Sequence, residues 1–384
     1  MLLEIRVGIV LGEGGRCMGA RRFIAWCAAA TIVAACAPVV AESELESLPP
    51  VESAVIGDAD SPIIPVGACG RDCCPQWPHY FVFDALFLQR NNAATNRPLA
   101  EGSSLSPYPG ATLLSTGDMQ SAVAPGLRLL YGRRDDEGGC EVGYLGVYGM
   151  WGSAGVAGVD QLAVPGAIGS TVPGWLTADS VQGTYASGLN IVEANVFHSR
   201  CCEGCSSGGC GRFCQCTDLL CGAFWAGLEE TASLNVICCE GDPASSYRVQ
   251  SSSNLIGAQI GLRRRRDWDR WAIEGTAKAG LAGSVMSQSS GPITGTITPG
   301  PAFRDPTSAS AGGVGLLSMI NASAIYRITD HWGLRAGYNL IWLDGVALAP
   351  NQWDFTDNAS SGTSLVGGGG LFLHGANLGV ERRW

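Results

Sequence analysis

Charge is what this sequence has least of: only 15% of its 384 residues are Asp, Glu, Lys or Arg, against about a quarter in a typical soluble domain. It also lacks a positive balance, the formal charge being −10, which argues against wholesale nucleic-acid binding. Beyond position 41 there is no run of about 20 apolar residues, which excludes a membrane protein built from helical spans. Disorder is excluded too, because low charge is combined with plentiful Val, Ile, Leu, Phe and Trp. What the chain does have is 54 Gly and 16 Cys within a composition that is 46% hydrophobic. That describes a glycine-rich β-type protein whose apolar residues are dispersed.

The first 41 residues read as a signal peptide. Arg21 and Arg22 precede the apolar run from Phe23 to Ala35, and Val39-Val40-Ala41 offers a small-residue ending for cleavage before Glu42. The alternative is lipoprotein processing, since Val33-Ala34-Ala35-Cys36 resembles a lipobox. By either route the chain leaves the cytoplasm. Cleavage would give a mature chain of charge −12 with 13 cysteines. An odd number in an oxidising compartment implies a free thiol, an intermolecular bridge or a metal site. Residues 42–78 are rich in Glu and Pro and read as a periplasmic leader ending in a cysteine cluster, Cys69, Cys73 and Cys74.

From about residue 79 the chain alternates with period 2, the strand signature. In 332–344, Trp332, Leu334, Ala336, Tyr338, Leu340 and Trp342 share one face, while Gly333, Arg335, Gly337 and Asn339 share the other. An apolar face with an aromatic at each end matches a lipid-facing strand between two interfacial girdles. The same pattern recurs in 192–197, 256–263, 271–281 and 320–328. The opposite faces mix Gly, Ser, Thr and Asn with charges of both signs, which suits a crowded polar barrel interior better than a solvated sandwich face.

About ten strands follow, near 79–90, 120–134, 139–152, 182–198, 222–235, 250–264, 269–285, 315–329, 331–345 and 371–384. The connections alternate long (91–119, 153–181, 286–314, 346–370) and short. The predicted fold is therefore all-β: a transmembrane antiparallel up-and-down β-barrel of 10–12 strands over 79–384, with long outer loops and short periplasmic turns. The terminal Trp384, preceded on its face by Val380, Leu378 and Ala376, resembles the C-terminal signal read by the barrel-assembly machinery. Arg382 departs from that signal.

Three stretches carry a family resemblance: Leu255-Ile256-Gly257-Ala258-Gln259-Ile260-Gly261, Gly275-Thr276-Ala277-Lys278-Ala279-Gly280, and Trp332 to Asn339. It continues through Gly345 to Pro350 and Phe372-Leu373-His374-Gly375, with Pro125-Gly126-Leu127-Arg128 and Phe83 to Leu88 fitting earlier. Together they resemble the β-barrel porin-7 family known mainly from planctomycetes. The resemblance implies an outer-membrane barrel in a bacterium of that phylum. It brings no catalytic residue or substrate, and the segment 200–221 looks like a Cys-rich periplasmic insertion relative to it.

That insertion holds Cys201, Cys202, Cys205, Cys210, Cys214, Cys216 and Cys221. With Cys69, Cys73, Cys74 and Cys140 they fall on the periplasmic side, while Cys238 and Cys239 lie on the outer side. The expected reading is a disulfide knot that staples the leader beneath the barrel. A thiolate metal cluster is the alternative, since Cys202 and Cys205 have C-x₂-C spacing, but no second pair follows at zinc-ribbon spacing. Gly204-Cys205-Ser206-Ser207-Gly208 matches the serine-hydrolase string without the helix that motif needs. The histidines, His79, His198, His331 and His374, sit near strand ends as interfacial side chains. Arg263 to Arg266, with Arg270, read as a solvated periplasmic hairpin or a contact for anionic wall polymer or lipid headgroups.

Alternation points Glu193, Gln259, Glu274, Lys278, Asn321, Arg327, Arg335, Asn339, Glu381 and Arg383 into the lumen. An eight-strand barrel is just filled by side chains, so ten strands predict an ion-pair network closing most of the bore. The expected function is a porin-like narrow channel or a membrane scaffold without catalytic activity or cofactor. A surface-interaction or adhesion barrel acting through its outer loops is the alternative. The expected partners are outer-membrane lipids, the assembly machinery and cell-wall or surface components, with no nucleic acid. Solute, ligand and oligomeric state are not encoded in any recognisable way.

Overall fold

Ten strands close on themselves in the computed structural model, which describes residues 77–91, 96–135, 137–206, 209–239, 244–295 and 302–384. The expected signal peptide and, but for Trp77 and Pro78, the leader, with Cys36, Cys69, Cys73 and Cys74, lie outside these residues, as do the side chains of 201–213. The strands are β1 (His79–Arg90), β2 (Pro98–Gly102), β3 (Thr112–Ser115), β4 (Val123–Arg134), β5 (Gly138–Ala163), β6 (Ala178–Ser206), β7 (Gly209–Ile237), β8 (Ser245–Trp268), β9 (Trp271–Ser290), β10 (Thr307–Arg327), β11 (Trp332–Val346) and β12 (Gly369–Arg383). A short helix, α1 (Gly166–Thr171), lies between β5 and β6. The sheet order is β3-β2-β5-β4-β1-β12-β11-β10-β9-β8-β7-β6, with β5 also pairing β6. That last pairing closes the barrel, and β2 and β3 form a small flap on the outer part of β5.

All pairings are antiparallel, and the register is continuous over long stretches. The first and last strands meet where β1 pairs β12: the N–H of His79 donates to the carbonyl of Trp384 and the N–H of Trp384 to that of His79, both at 3.1 Å. Closure leaves no sheet edge within the barrel, as a span through hydrocarbon requires. Among the described residues no helix is long and apolar enough to cross a membrane; the strands cross it.

The outward face is what a soluble barrel could not carry. Ile256 and Ile260 on β8 are 65% and 68% exposed, Leu281 and Val285 on β9 are 64% and 67%, and Val314 on β10 is 75%. Such a continuous apolar belt would drive aggregation in water. Aromatic side chains border it. At the periplasmic edge Trp271 packs on Tyr326 with centroids 5.0 Å apart, and His79 stacks on Trp384 at 5.9 Å. At the other edge Trp342 meets Phe372 at 6.3 Å. The chain is an outer-membrane-type β-barrel. Arg382, the departure from the terminal signal, lies on the outward face with its guanidinium 5.3 Å from the ring of Trp332 and 5.2 Å from that of Trp384. A cation at this border is held by ring faces as well as by water.

Three expectations change. The stretches 153–181 and 286–314, read as long loops, are about half strand, and the connections shrink to 164–177 and 291–306. Their outward residues, such as Ser287, Ser289, Ser308 and Ser310, alternate without an apolar face because this part of the wall stands above the membrane in water. The Cys-rich segment 200–221 is not a separate connection. It continues the β6–β7 hairpin in register, with Cys201 opposite Cys216 and Glu203 opposite Cys214. The arginines from Arg263 to Arg266 do not form a solvated turn but lie within β8, Arg263 and Arg265 pointing inward and buried, Arg264 and Arg266 outward and exposed.

The outer connections are not free loops either. They fold into the mouth of the barrel over a second apolar core of Leu99, Leu114, Met119, Leu162, Ile168, Trp175, Tyr247 and Trp353, all at most 3% exposed. The segment after β11 enters this cap through a bulge at Gly345, where φ is +76° and a Cβ would stand 2.3 Å from the carbonyl oxygen of Val314. Only glycine takes that turn without strain. It drops Leu348 into the bore, where Leu348 is 0% exposed.

Candidate functional site in the barrel interior

The interior is layered by height. On the periplasmic half, register sets charged residues of neighbouring strands side by side. Asp84 on β1 faces Arg128 on β4, with Arg128 Nε 2.9 Å from Oδ2. On the other side of Asp84 stands Gly379 of β12, where a Cβ would lie 2.2 Å from Oδ1. That missing side chain lets Arg335 reach across from β11, its Nε 3.7 Å from Asp84 Oδ1. Arg335 also donates from Nη1 to Glu381 at 2.7 Å and from Nη2 to Glu274 at 2.9 Å. Arg265 adds contacts to Glu381 at 3.0 Å, Asp267 at 3.0 Å and Glu274 at 3.3 Å. Arg383 binds Glu381 at 2.5 Å, and Arg327 pairs with Asp267.

A second cluster fills the other side of the bore. Arg263 donates from Nε to Asp218 at 2.8 Å and from Nη1 to Glu141 at 2.6 Å. Tyr80 donates to the same Glu141 oxygen at 2.7 Å, and Arg134 pairs with Asp218. The Gln259 amide donates to Glu193 and to Asn195, both at 2.8 Å, and Glu193 pairs with Lys278, the only lysine in the sequence. Between the clusters Asn321, Asn339 and Asn377 form a carboxamide ladder with bonds of 2.9 and 3.3 Å. The ten expected lumen residues thus all stand in one polar layer. Sequence reasoning missed Asp84, Arg128, Glu141, Asp218, Arg265 and Asn377, although the same alternation would have found most of them.

Among the described residues this layer holds eight cations and seven carboxylates, all paired. These described charges nearly cancel, and among them there is no single-sign ring of the kind that selects ions.

Above it, toward the outer side, the interior turns apolar, which corrects the expectation of a polar lumen throughout. Leu86, Leu88, Leu189, Leu317, Leu343 and Leu373 interlock there at 0–1% exposure, joined by Leu348 from the cap. At the seam of the two layers a cavity of about 60 Å³ remains, lined by Glu193, Arg263, Lys278, Arg335, Met319 and Ile341 among others. That is room for a few waters, not for a solute path. Higher still, an isolated pair, Arg90 with Glu230, ties the bore to the cap: Glu230 Oε2 accepts from the N–H of Ala349 at 2.8 Å, and Arg90 donates to Ser187 at 2.7 Å.

The cap has its own polar lock. Asp354 accepts from the N–H and hydroxyl of Thr356 at 2.9 and 2.6 Å and from the N–H of Gly362 at 2.8 Å. Partial burial acts to raise its pKa, but these bonds and nearby Arg304 outweigh it and hold the carboxyl below the usual aspartate range. A depressed pKa gives stability that is present above the unfolded value and lost as pH falls through the folded one. Acidification below the usual aspartate range should therefore loosen 354–362, read as faster proteolysis of the cap in reconstituted protein. Asp354→Asn should raise cleavage at neutral pH, at a cost on the order of 1 kcal/mol, and remove the acid-induced step. An unchanged acid response in that variant would reject the assignment.

The cysteines are placed but not all bridged. Cys140, Cys221, Cys238 and Cys239 are free thiols, against the expected bridges. The register explains two of them: Cys140 faces Arg133 and Val196, and Cys221 faces Val196 and Ile260. Cys238 and Cys239 stand together beyond β7, and burial with the neighbouring thiol pushes Cys238 up to about 11. The side chains of Cys201, Cys202, Cys205 and Cys210, and with them the C-x₂-C and serine-hydrolase strings, lie outside the described residues. His374 is outward, bonded through Nδ1 to the Tyr338 hydroxyl at 2.8 Å.

No family model matches this chain. No curated protein matches it either. Among solved structures it is similar to the Pseudomonas putida toluene transporter TodX, at 9% identity over 81% of this chain and 91% of that one, with a TM-score of 0.24. A Pseudomonas aeruginosa FadL homologue matches at 9% identity over 79% and 88%, TM-score 0.19. OmpT of Vibrio cholerae, expressed in the outer membrane, matches at 9% over 80% and 98%, TM-score 0.16. Superpositions this loose do not equate individual strands, and the barrel described above stands on its own register.

Proposed function

We propose that the protein is a closed-bore outer-membrane scaffold that anchors a folded cap on the outer surface, not an open porin. The carrying observation is the stack of two sealed layers, a neutral ion-pair layer beneath an apolar one whose side chains are at most 7% exposed. Barrels of eight strands are just filled by side chains, and aqueous channels appear at much larger strand numbers. The likeness of the second half to the planctomycete barrel family is part of this reading, as is delivery through assembly machinery that reads the Trp384 strand.

Reconstitution into planar bilayers tests it directly. The protein should insert, shown by heat-modifiable migration on gels, and yield no stepwise conductance. Reproducible steps would overturn the scaffold reading in favour of a narrow channel.

One observation favours a second role for the same scaffold, surface interaction. The cap contains a cleft of about 650 Å³ between Arg97, Gly166, Gln352, Phe355, Asp357 and Val366. Its volume falls within the range of small-ligand sites, and its position faces the surroundings of the cell.

A further inference from the structure

Arginines that point out of the barrel need different partners from those inside it. At the periplasmic ends of β6, β7 and β8, register sets Arg200 opposite Thr217 and Thr217 opposite Arg264. One step nearer the periplasm Gln215 faces Arg266. The adjoining residues Ser199, Asp218 and Arg263 bond to one another inside the bore, at 2.7 and 2.8 Å. Arg200, Thr217 and Arg264 therefore share the outward face, and both arginines are exposed. With strands about 4.8 Å apart, their backbones stand roughly 10 Å from each other across the short side chain of Thr217. Two guanidinium groups can converge over that hydroxyl. Beside Arg264 lies Gly275 of β9, where a Cβ would meet nothing within 4 Å, so the patch has an open notch.

The exposed Glu137, in the β4–β5 turn, lies at the periplasmic rim of this patch, its carbonyl accepting from the N–H of Ser199 at 2.8 Å. Asp218, Asp267 and Glu274 all turn inward, where Arg263, Arg265 and Arg335 pair with them. The next outward residues toward the membrane centre, Leu219 and Leu262, are 54% and 49% exposed and face lipid. On the periplasmic side the Arg266 guanidinium lies 5.2 Å from the ring of Trp268. The arginines thus sit between an acyl-chain surface and an aromatic border, at headgroup depth.

We propose that Arg200 and Arg264, with Thr217 and flanked by Arg266 and Gln215, bind the phosphodiester headgroup of an anionic phospholipid in the periplasmic leaflet. Guanidinium forks match phosphate oxygens bidentately, the Thr217 hydroxyl supplies a further donor, and the acyl chains lie along Leu219 and Leu262. The site requires only that the barrel spans the membrane, and holds whether the bore is open or closed.

Native mass spectrometry of the full-length protein, released from micelles holding equal amounts of dioleoyl phosphatidylglycerol and dioleoyl phosphatidylcholine, reads the site directly. The wild type should retain the anionic lipid by about tenfold over the zwitterionic one, each basic residue near the surface contributing on the order of fivefold. R200Q/R264Q should lose most of that preference. R200K/R264K, which keeps the charge but not the fork, should keep part of it, and guards against a folding failure of the Gln pair. Arg248→Gln, an exposed arginine at the outer end of β8, should leave it unchanged. Millimolar inorganic phosphate should not displace the lipid. Equal retention of both lipids, an unchanged preference in R200Q/R264Q, or displacement by phosphate alone would each overturn the proposal.

Discussion

Arg335→Met should lower the stability of the folded barrel by about 3–5 kcal/mol, the range for breaking a buried ion pair from one side. Arg335 has a side chain only 2% exposed and contacts Glu274, Glu381 and Asp84 at once. Methionine of similar length fills its volume, so the loss reports electrostatics and hydrogen bonding, not a cavity. Glu274 and Glu381 would keep Arg265, Glu381 also Arg383, and Asp84 would keep Arg128, but the cation that all three share would be gone. Equilibrium unfolding of protein reconstituted in lipid vesicles, followed by tryptophan fluorescence in denaturant, measures this. Arg327→Gln provides the contrast, since that side chain is 35% exposed and an exposed pair contributes ~1 kcal/mol or less. A similar, small effect in both variants would mean that the polar layer is hydrated and weakly coupled, and would count against the sealed bore.

Glu230→Gln should have an effect of the same size for a different reason, and should act on the cap as well. Glu230 and Arg90 have side chains 0% and 2% exposed and stand alone between the two apolar cores. The neutral amide can still accept a hydrogen bond but removes the counter-charge of Arg90, whose other contacts among the described residues are the Ser187 hydroxyl and the Tyr185 ring, 4.9 Å from its guanidinium. The expected loss is about 3–5 kcal/mol. The bond from Ala349 to Glu230 weakens too, so cleavage within 347–353 should rise in limited proteolysis. Arg90→Met combined with Glu230→Leu removes both charges and should recover most of the stability, because a buried pair often does no better than well-packed apolar residues. Failure of that double variant to recover would show that Glu230 acts mainly through the cap and not through Arg90.

Much of this architecture is legible in the residue pattern. Alternation in Trp332 to Trp342 marks a lipid face, and its opposite phase, Arg335 and Asn339, marks the interior. The same reasoning on β8 and β9 separates Ile260 from Gln259 and Ala277 from Lys278. The strand number follows from turn residues and spacing. What period 2 reports is a side of the strand. It carries no height and no identity for the neighbour across the gap. Glu193 and Lys278 are 85 positions apart, and nothing local says that they meet.

The outer extensions of β5, β6, β9 and β10 read as loops in the sequence because a strand standing in water shows no apolar face to mark it. The mixed interior has a related origin. Leu86, Leu317 and Leu343 share the inward face with Asp84, Asn321 and Asn339, and only the stagger of the closed barrel sorts them into separate levels. Sequence alone therefore determined that this is a membrane barrel, roughly how many strands it has and which residues face inward. Tertiary structure decided how the interior is layered, because layering depends on which inward side chains arrive at the same depth, and depth is set by closure and register, not by the order of residues along one strand.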